Sequence, residues 1–485
     1  MAEQDTSLNK RAEAQVHTAD VVRHGDKLIV PETMPLRSAI TCLTEVMNDE
    51  ETLISVSEAV DCFPWEGAIA FREAIEEIFG YSRTVATMGF FGPNPPKEIS
   101  IETGPNTKVS APWGKFHFAL AESDEEWIGT GSTERDGRVV FQIAGVVKKK
   151  FRSVILQLAD RTRQIVTAKS IYRGKALRIN FTDASGAVDK IPTPRFLSVN
   201  PSALTDMVYS KDLEQLMETN VMAPLRHPDA CRKSGIPLKR GILLAGPYGT
   251  GKSLFAAAVA KVATDNGWTY IYIKDASELS HAIKFAKSYQ PAVIFAEDVD
   301  RHVTGERTDA MDVILNTLDG IDSKSSEIMV VLTTNHLDQV NRAMLRPGRL
   351  DVILNVIPPD AEAVQRLVRL YGRNLITDGE DLSEVGMILA GQTPAVMREA
   401  VERSKLSGIA RTGEAFNLIN ATDLAIAART LMQQQTLLID KPPVPITWGE
   451  QMGSFIADRA IETLKSNGLA VMERQIEEIH GHLEI

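Results

Sequence analysis

Residues 241–253 read G-I-L-L-A-G-P-Y-G-T-G-K-S, and this stretch decides the fold. The apolar run Ile242 to Ala245 has the composition of a short buried strand. It leads into Gly246-x-x-x-x-Gly251-Lys252-Ser253, the spacing of a phosphate-binding P-loop. Gly246, Gly249 and Gly251 permit backbone torsions and a close approach that a Cβ would obstruct, so successive N–H groups can surround an anion. Lys252 supplies an ammonium for the β and γ phosphates, and Ser253 a hydroxyl for Mg²⁺. The following A-A-A-V-A-K-V-A, Ala256 to Ala263, is strongly helix-forming, so its N-terminus adds a positive dipole end under the same anion. The expected nucleotide-contacting set is Gly246, Pro247, Tyr248, Gly249, Thr250, Gly251, Lys252, Ser253 and Leu254, with ATP and Mg²⁺ as cofactors.

The rest of the chain is that of a multidomain globular protein. Its 485 residues have room for about three domains. Hydrophobic content of 44% and charged content of 24% are ordinary, and a net charge of −11 argues against non-specific nucleic-acid binding by the whole surface. Cys42, Cys62 and Cys231 are odd in number and far apart, a pattern of reduced thiols and not of a disulfide framework. The amino terminus lacks an apolar leader and no run of 18 apolar residues occurs, so the expectation is a cytoplasmic protein with no membrane partner.

Residues 1–30 are polar and unpatterned, a flexible lead-in. In E-G-A-I-A-F-R-E-A-I-E-E-I-F-G, Ile69, Phe71, Ile75, Ile78 and Phe79 form one helical face, with Arg72, Glu73, Glu76 and Glu77 opposite and Gly80 as terminator. After F-F-G-P-N-P-P-K come alternating runs: E-I-S-I-E-T, K-V-S-A-P-W, K-F-H-F-A-L, R-V-V-F-Q-I-A-G-V-V, I-V-T-A-K-S-I-Y and L-R-I-N-F. Turn signals such as Asp136-Gly137 and Ser185-Gly186 separate them. These predict a mixed α+β N-terminal domain over residues 31–195, which presents a protein client. Its one basic cluster, Lys148, Lys149, Lys150 and Arg152 with Arg161 and Arg163, suits a solvated face or an acidic protein better than a nucleic-acid strand, since Phe151 is the only aromatic nearby. Pro192 to Pro201 reads as a linker.

Past the linker, Asp212-L-E-Q-L-M and then V-M-A-P-L-R-H-P-D-A-C-R-K-S-G-I-P-L-K-R ahead of the P-loop resemble the entry to the AAA module of the family that includes the proteasomal ATPases and valosin-containing protein. The resemblance runs over roughly residues 205–430. It implies a P-loop α/β module of the AAA+ type, a parallel sheet with flanking helices at 205–358, then a small helical lid domain at 359–435 and a helical extension at 436–485.

The strand P-A-V-I-F-A-E-D-V-D, Pro291 to Asp300, ends in the acids that a Mg²⁺-nucleotide site requires. Where the family usually has Asp then Glu, this chain has Glu297, placed near the metal, then Asp298, placed near the attacking water. By resemblance, Asn335 at the end of I-M-V-V-L-T-T-N is the sensor of water or γ-phosphate. Arg346 and Arg349 of R-P-G-R-L-D are likewise fingers that act on a neighbouring subunit's nucleotide, which implies a homo-oligomeric ring, a hexamer. Tyr270 to Pro291 contains no Trp or Tyr followed by an apolar residue and Gly, the pore-loop signature of peptide-threading members. The Glu-Asp-Val-Asp order and T-T-N-H-L-D are similar to the branch containing the mitochondrial Rieske-protein translocase. The sequence thus predicts an ATP hydrolase that remodels or moves a protein partner. The alternatives are a nucleic-acid motor or loader using the basic cluster, and a nucleotide-controlled scaffold with little turnover.

Overall fold

The computed structural model describes residues 22–24, 27–80, 86–89, 92–94, 97–117, 120–123, 125–183, 185–297, 299, 326–337 and 350–439. The chain divides into two compact units, Met1–Leu370 with Ala390–Ala395, and Tyr371–Leu389 with Val396–Ile485.

In the N-terminal part of the first unit, β1 (Leu53–Val60), β2 (Lys115–His117), β3 (Trp127–Arg135) and β4 (Arg138–Lys148) form an antiparallel sheet in the order β1-β4-β3-β2. Asp136 and Gly137, both at positive φ (52° and 69°), make the two-residue turn between β3 and β4. Such a turn matches the strand twist and explains why Asp-Gly is a legible signal. One face of the sheet is covered by α1 (Pro64–Phe79) and α2 (Arg152–Ala168), whose Phe71, Ala74, Ile75, Ile155 and Leu158 pack with Phe141, Ile143 and Val147. Gly67 lets α1 lie directly on β4: a Cβ there would meet the Phe141 ring at 2.1 Å.

The run I-V-T-A, which has the composition of a strand, lies instead in the last turn of α2. Ile155, Leu158, Ala159, Thr162 and Ile165 are all buried, and this helical period overrides the β-branched composition.

The remainder of the first unit is an α/β module. Strands β5 (Ala176–Arg178), β6 (Arg195–Phe196), β7 (Arg240–Ala245), β8 (Thr269–Ile273), β9 (Ala292–Ala296), β10 (Ile328–Thr334) and β11 (Val352–Asn355) form one sheet in the order β6-β5-β8-β9-β10-β7-β11. Every neighbouring pair is parallel except β5 with β6. Helix α3 (Lys252–Asp265) covers one face with Phe255, Val259 and Val262 against Ile242, Leu244, Val293 and Phe295. Helix α4 (Leu279–Ala286) packs Leu279, Ile283 and Ala286 into the core that holds Leu243, Ile271, Ile294 and Val330. Burial on both faces explains why β7, β9 and β10 read as continuous apolar runs and not as alternating ones.

Strands β5 and β6 fall inside the stretch that the sequence assigns to the N-terminal domain and linker, yet they hydrogen-bond to this sheet. Leu177 is fully buried there, and Phe196 stacks on Tyr172 at 6.0 Å. The alternating run L-R-I-N-F marks β5 as extended, but strands of three and two residues carry nothing that says which sheet they join.

A buried junction joins the N-terminal elements to the module. The Glu66 carboxylate on α1 accepts hydrogen bonds from Ser170 Oγ (2.6 Å), Ile171 N (2.8 Å) and Tyr289 Oη (2.7 Å), while Tyr289 Oη accepts from Phe63 N (2.9 Å). Burial pushes the Glu66 carboxyl above its usual range in spite of these donors. Around it, Arg173 donates to the carbonyls of Gln290 (3.0 Å) and Ser288 (3.1 Å), and Arg138 to Ser288 Oγ (2.9 Å).

Helix α5 (Ala361–Gly372) leads out of the first unit. The second contains α6 (Ser383–Leu389), most of α7 (Pro394–Thr412) and α8 (Ala421–Ile439) around Leu382, Val385, Leu389, Met397, Val401, Leu424 and Ala428, the helical small domain that the resemblance implies. Asp423 pairs with Arg411 at 2.8 Å, and the Arg398 guanidinium lies over the Tyr371 ring. Of the lead-in expected to be unstructured over residues 1–30, Val22–His24 and Lys27–Ile29 instead pair as two short antiparallel strands, while residues 1–21 and 440–485 lie outside the described residues.

Replacing Glu66 by Ala strands one buried and two partly buried donors. The expected loss is about 2–4 kcal/mol of unfolding free energy, with a smaller loss for Glu66→Gln, which keeps one acceptor. A urea titration followed by tryptophan fluorescence measures it.

Candidate nucleotide site

Parallel strands place their C-terminal ends at one edge of a sheet, and three candidate groups sit there: the P-loop after β7, Glu297 after β9 and Asn335 after β10. Gly246 is buried and passes so close to the chain after β11 that a Cβ would lie 2.1 Å from the Val356 carbonyl oxygen. Its N–H donates to the Thr334 carbonyl at 3.2 Å, which ties the loop to β10. Gly249 and Gly251 have φ of 77° and 102°, in the left-handed region where a side chain is strained. Thr250, 2% exposed, braces the turn by donating to the Pro247 carbonyl at 2.9 Å. Pro247 and Tyr248 are exposed, and Leu254 is half-buried.

Lys252 is 8% exposed. Its ammonium donates to the carbonyls of Gly246 (2.6 Å) and Pro247 (2.8 Å) and to Asn335 Oδ1 (2.8 Å), so the P-loop lysine and the expected sensor are in direct contact. Ser253 Oγ donates to Glu297 Oε1 at 3.4 Å. Both are hard oxygen donors, and cis ligands of an octahedral Mg²⁺ lie about 2.9 Å apart, so the pair fits the ion after a small side-chain rotation. Among the described residues there is no cluster of three or more His, Cys, Asp or Glu side chains able to hold a metal. Mg²⁺ in nucleotide sites needs none, because phosphate and water oxygens complete its shell.

Asp298, Arg346 and Arg349 lie outside the described residues. The last residue of the R-P-G-R-L-D motif is described. Asp351 N donates to the Gly241 carbonyl (2.7 Å) and Asp351 Oδ2 accepts from Gly241 N (2.9 Å), which pins the end of that motif to the start of β7.

One residue that the sequence did not single out enters the loop. Tyr209 Oη donates to the Gly251 carbonyl at 2.8 Å. No motif marks it; the only signal is a lone tyrosine immediately ahead of the Asp212-L-E-Q-L-M helix.

Residues 242–357 match the family described as ATPase family associated with various cellular activities (AAA). The chain is 26% identical over 294 residues to the proteasome-activating nucleotidase of Methanocaldococcus jannaschii, covering 56% of this chain and 63% of that protein. It is 30% identical over 234 residues to the 26S proteasome regulatory subunit 8 homolog of Schizosaccharomyces pombe, covering 44% and 57%. It is 28% identical over 251 residues to protein SAV of Sulfolobus acidocaldarius, covering 48% and 30%. The chain therefore spans less than two-thirds of the length of these relatives. Within the α/β module, the P-loop and strands β8 to β11 lie in the stretch that matches the AAA family of ATPases. Among the described residues no helix is long and apolar enough to cross a membrane.

Five of the six cations of the basic cluster are ion-paired with carboxylates of the N-terminal elements. Lys148 pairs with Glu51 (2.6 Å) and Glu122, Lys150 with Glu51 (2.6 Å) and Glu122 (2.8 Å), and Lys149 with Asp49. Arg161 pairs with Glu77, and Arg163 with Glu58 (2.9 Å) and Asp160 (2.6 Å). The acidic partner that the sequence allowed is the domain itself.

Hydrogen bonds from Lys148 and Lys150 pull the Glu122 carboxyl from 4.5 down to about 2. A carboxyl lowered on folding stabilises above its unfolded value and loses that contribution as pH falls through the folded one. The wild-type melting temperature should therefore fall more steeply than that of Glu122→Gln as pH is lowered from about 5 to 2.5. Parallel melting curves would show that the network contributes nothing.

Proposed function

We propose that this protein is a Mg²⁺-dependent ATP hydrolase that works as a homo-oligomeric ring, a hexamer, to remodel or move a protein partner presented by its N-terminal domain. The observation that carries the reading is the convergence of Lys252 Nζ, Asn335 Oδ1, Ser253 Oγ and Glu297 Oε1 at the ends of three adjacent parallel strands.

In this reading the P-loop amides and Lys252 hold the β and γ phosphates, and Ser253 and Glu297 hold the metal. When bound, Mg²⁺ neutralises charge that develops on the transferring phosphoryl group. Asp298 polarises the attacking water, and Asn335 orients it or the γ-phosphate. Arg346 and Arg349 act on the nucleotide of the neighbouring subunit, where a permanently charged, planar guanidinium spreads charge over several oxygens. Asp is one methylene shorter than Glu, so the Glu297-Asp298 order favours slow turnover over fast.

A protein client is favoured over nucleic acid by two observations. Among the described residues, five of the six cations of the N-terminal cluster, all but Arg152, are paired with carboxylates, and the relatives include a proteasome-activating nucleotidase and a proteasome regulatory subunit. The segment between β8 and β9 buries its aromatics Phe285 and Tyr289, 6% and 2% exposed, which favours handling a partner without an aromatic grip on a threaded chain.

Lys252→Ala should abolish ATP binding and turnover, read by calorimetry and phosphate release; unchanged turnover would refute the site. Arg349→Ala should lose most turnover while keeping nucleotide affinity. Wild-type turnover in that variant would rule out the finger. Single-stranded DNA or RNA should leave ATPase activity unchanged, and strong salt-sensitive stimulation would favour the nucleic-acid motor.

A further inference from the structure

We propose that Tyr209 is a positioning residue of the nucleotide site, its hydroxyl setting the plane of the Gly251-Lys252 peptide so that the Lys252 N–H is presented to the bound phosphates. The inference rests on the ATP reading above.

The Gly251 carbonyl oxygen accepts two hydrogen bonds, from Phe255 N (3.0 Å) and from Tyr209 Oη (2.8 Å). A carbonyl has two lone pairs, so both directions in which it can be held are occupied. In a trans peptide the C=O and the following N–H point to opposite sides, so fixing the carbonyl on Tyr209 turns the Lys252 N–H the other way. Gly251 needs this restraint more than most residues. Its φ of 102° and ψ of 9° lie in a region that glycine enters and leaves at little cost, and it is the residue that caps α3. A Cβ on Gly251 would sit 3.0 Å from Tyr209 Oη, so the two positions are matched in shape as well as in hydrogen bonding.

Tyr209 is itself fixed. It is 4% exposed, and burial raises its hydroxyl above the ordinary phenol value, which keeps the group a proton donor. Its backbone N–H donates to Glu214 Oε1 (2.9 Å), and its carbonyl accepts from Arg366 Nη2. Arg366, on α5, closes the arrangement by gripping both Glu214 oxygens at 2.9 and 3.0 Å. One nitrogen, Nη1, serves both oxygens while Nη2 holds the Tyr209 carbonyl, so the guanidinium joins the two residues. The phenol thus runs from a Glu214-Arg366 anchor to the P-loop as a short strut.

The test uses the full chain and Mg-ATP as the probe. Affinity is measured by calorimetry, KM and kcat by phosphate release, and folding by the nucleotide-free melting temperature. Tyr209→Phe removes one oxygen and should weaken ATP binding and raise KM by roughly threefold to tenfold, with a smaller change in kcat. Arg366→Ala should act in the same direction with Tyr209 intact, and Arg366→Lys should restore only part of the loss. Because the two residues act through one strut, the double variant should be no weaker than the worse single one. A Tyr209→Phe protein that binds ATP as the wild type does, while Lys252→Ala binds none, would overturn the proposal and leave the ATP reading standing. Fully additive losses would overturn it too. A wild type that binds no ATP would overturn both. Should Tyr209→Phe melt early, Arg366→Ala decides by itself: wild-type affinity in that variant refutes the strut.

Discussion

The ammonium of Lys252 has three N–H bonds, and each is committed: to Gly246 O, Pro247 O and Asn335 Oδ1. This one group ties the loop that follows β7 to the end of β10, and it does so only because those strands are neighbours in parallel register, Ala245 opposite Thr334. Glu297 comes into range of Ser253 for the same reason, from the strand on the other side of β10. The sheet order comes first and the site follows from it. Any topology that separated β7 from β10 would take Asn335 away from this buried charge and leave it only the two loop carbonyls.

What was legible in the sequence follows from what is local. The P-loop, the strand before it and the helix after it are contiguous, and their glycine torsions and buried apolar runs are dictated within some twenty residues. Glu297 and Asn335 were legible as polar residues that end apolar strands. Tyr209 was not, because its meaning depends on a glycine 42 residues away whose carbonyl it meets only after folding. Glu66 was hidden for a related reason. It lies in an acid-rich amphipathic helix, and nothing in the spacing separates an exposed carboxylate from one that is 2% exposed and triply hydrogen-bonded. Strand β5 was legible as extended in L-R-I-N-F, but neither it nor the two-residue β6 carries a pattern long enough to say which sheet it joins.

The lysine cluster marks another limit of linear reading. Lys150 finds Glu51 at a separation of 99 residues and Glu122 at 28, so charges that look like a patch in the sequence close into ion pairs in space. A run of like charges reports what a segment would do alone. The fold decides whether it stands alone.

The three residues ahead of Pro291, which leads into β9, are held from several sides: Ser288 by Arg138 and Arg173, Tyr289 by Glu66 and Phe63, and Gln290 by Arg173 at its carbonyl and by Glu327 N at its side chain. Those residues are the root of the strand whose far end carries Glu297. A β-strand buried on both faces barely stretches or bends along its length. The N-terminal elements are therefore mounted on the fixed end of a stiff rod whose free end meets the Ser253 hydroxyl. Any load that shifts those elements must either shear a buried carboxylate from three donors or travel down the rod to the edge that holds the P-loop.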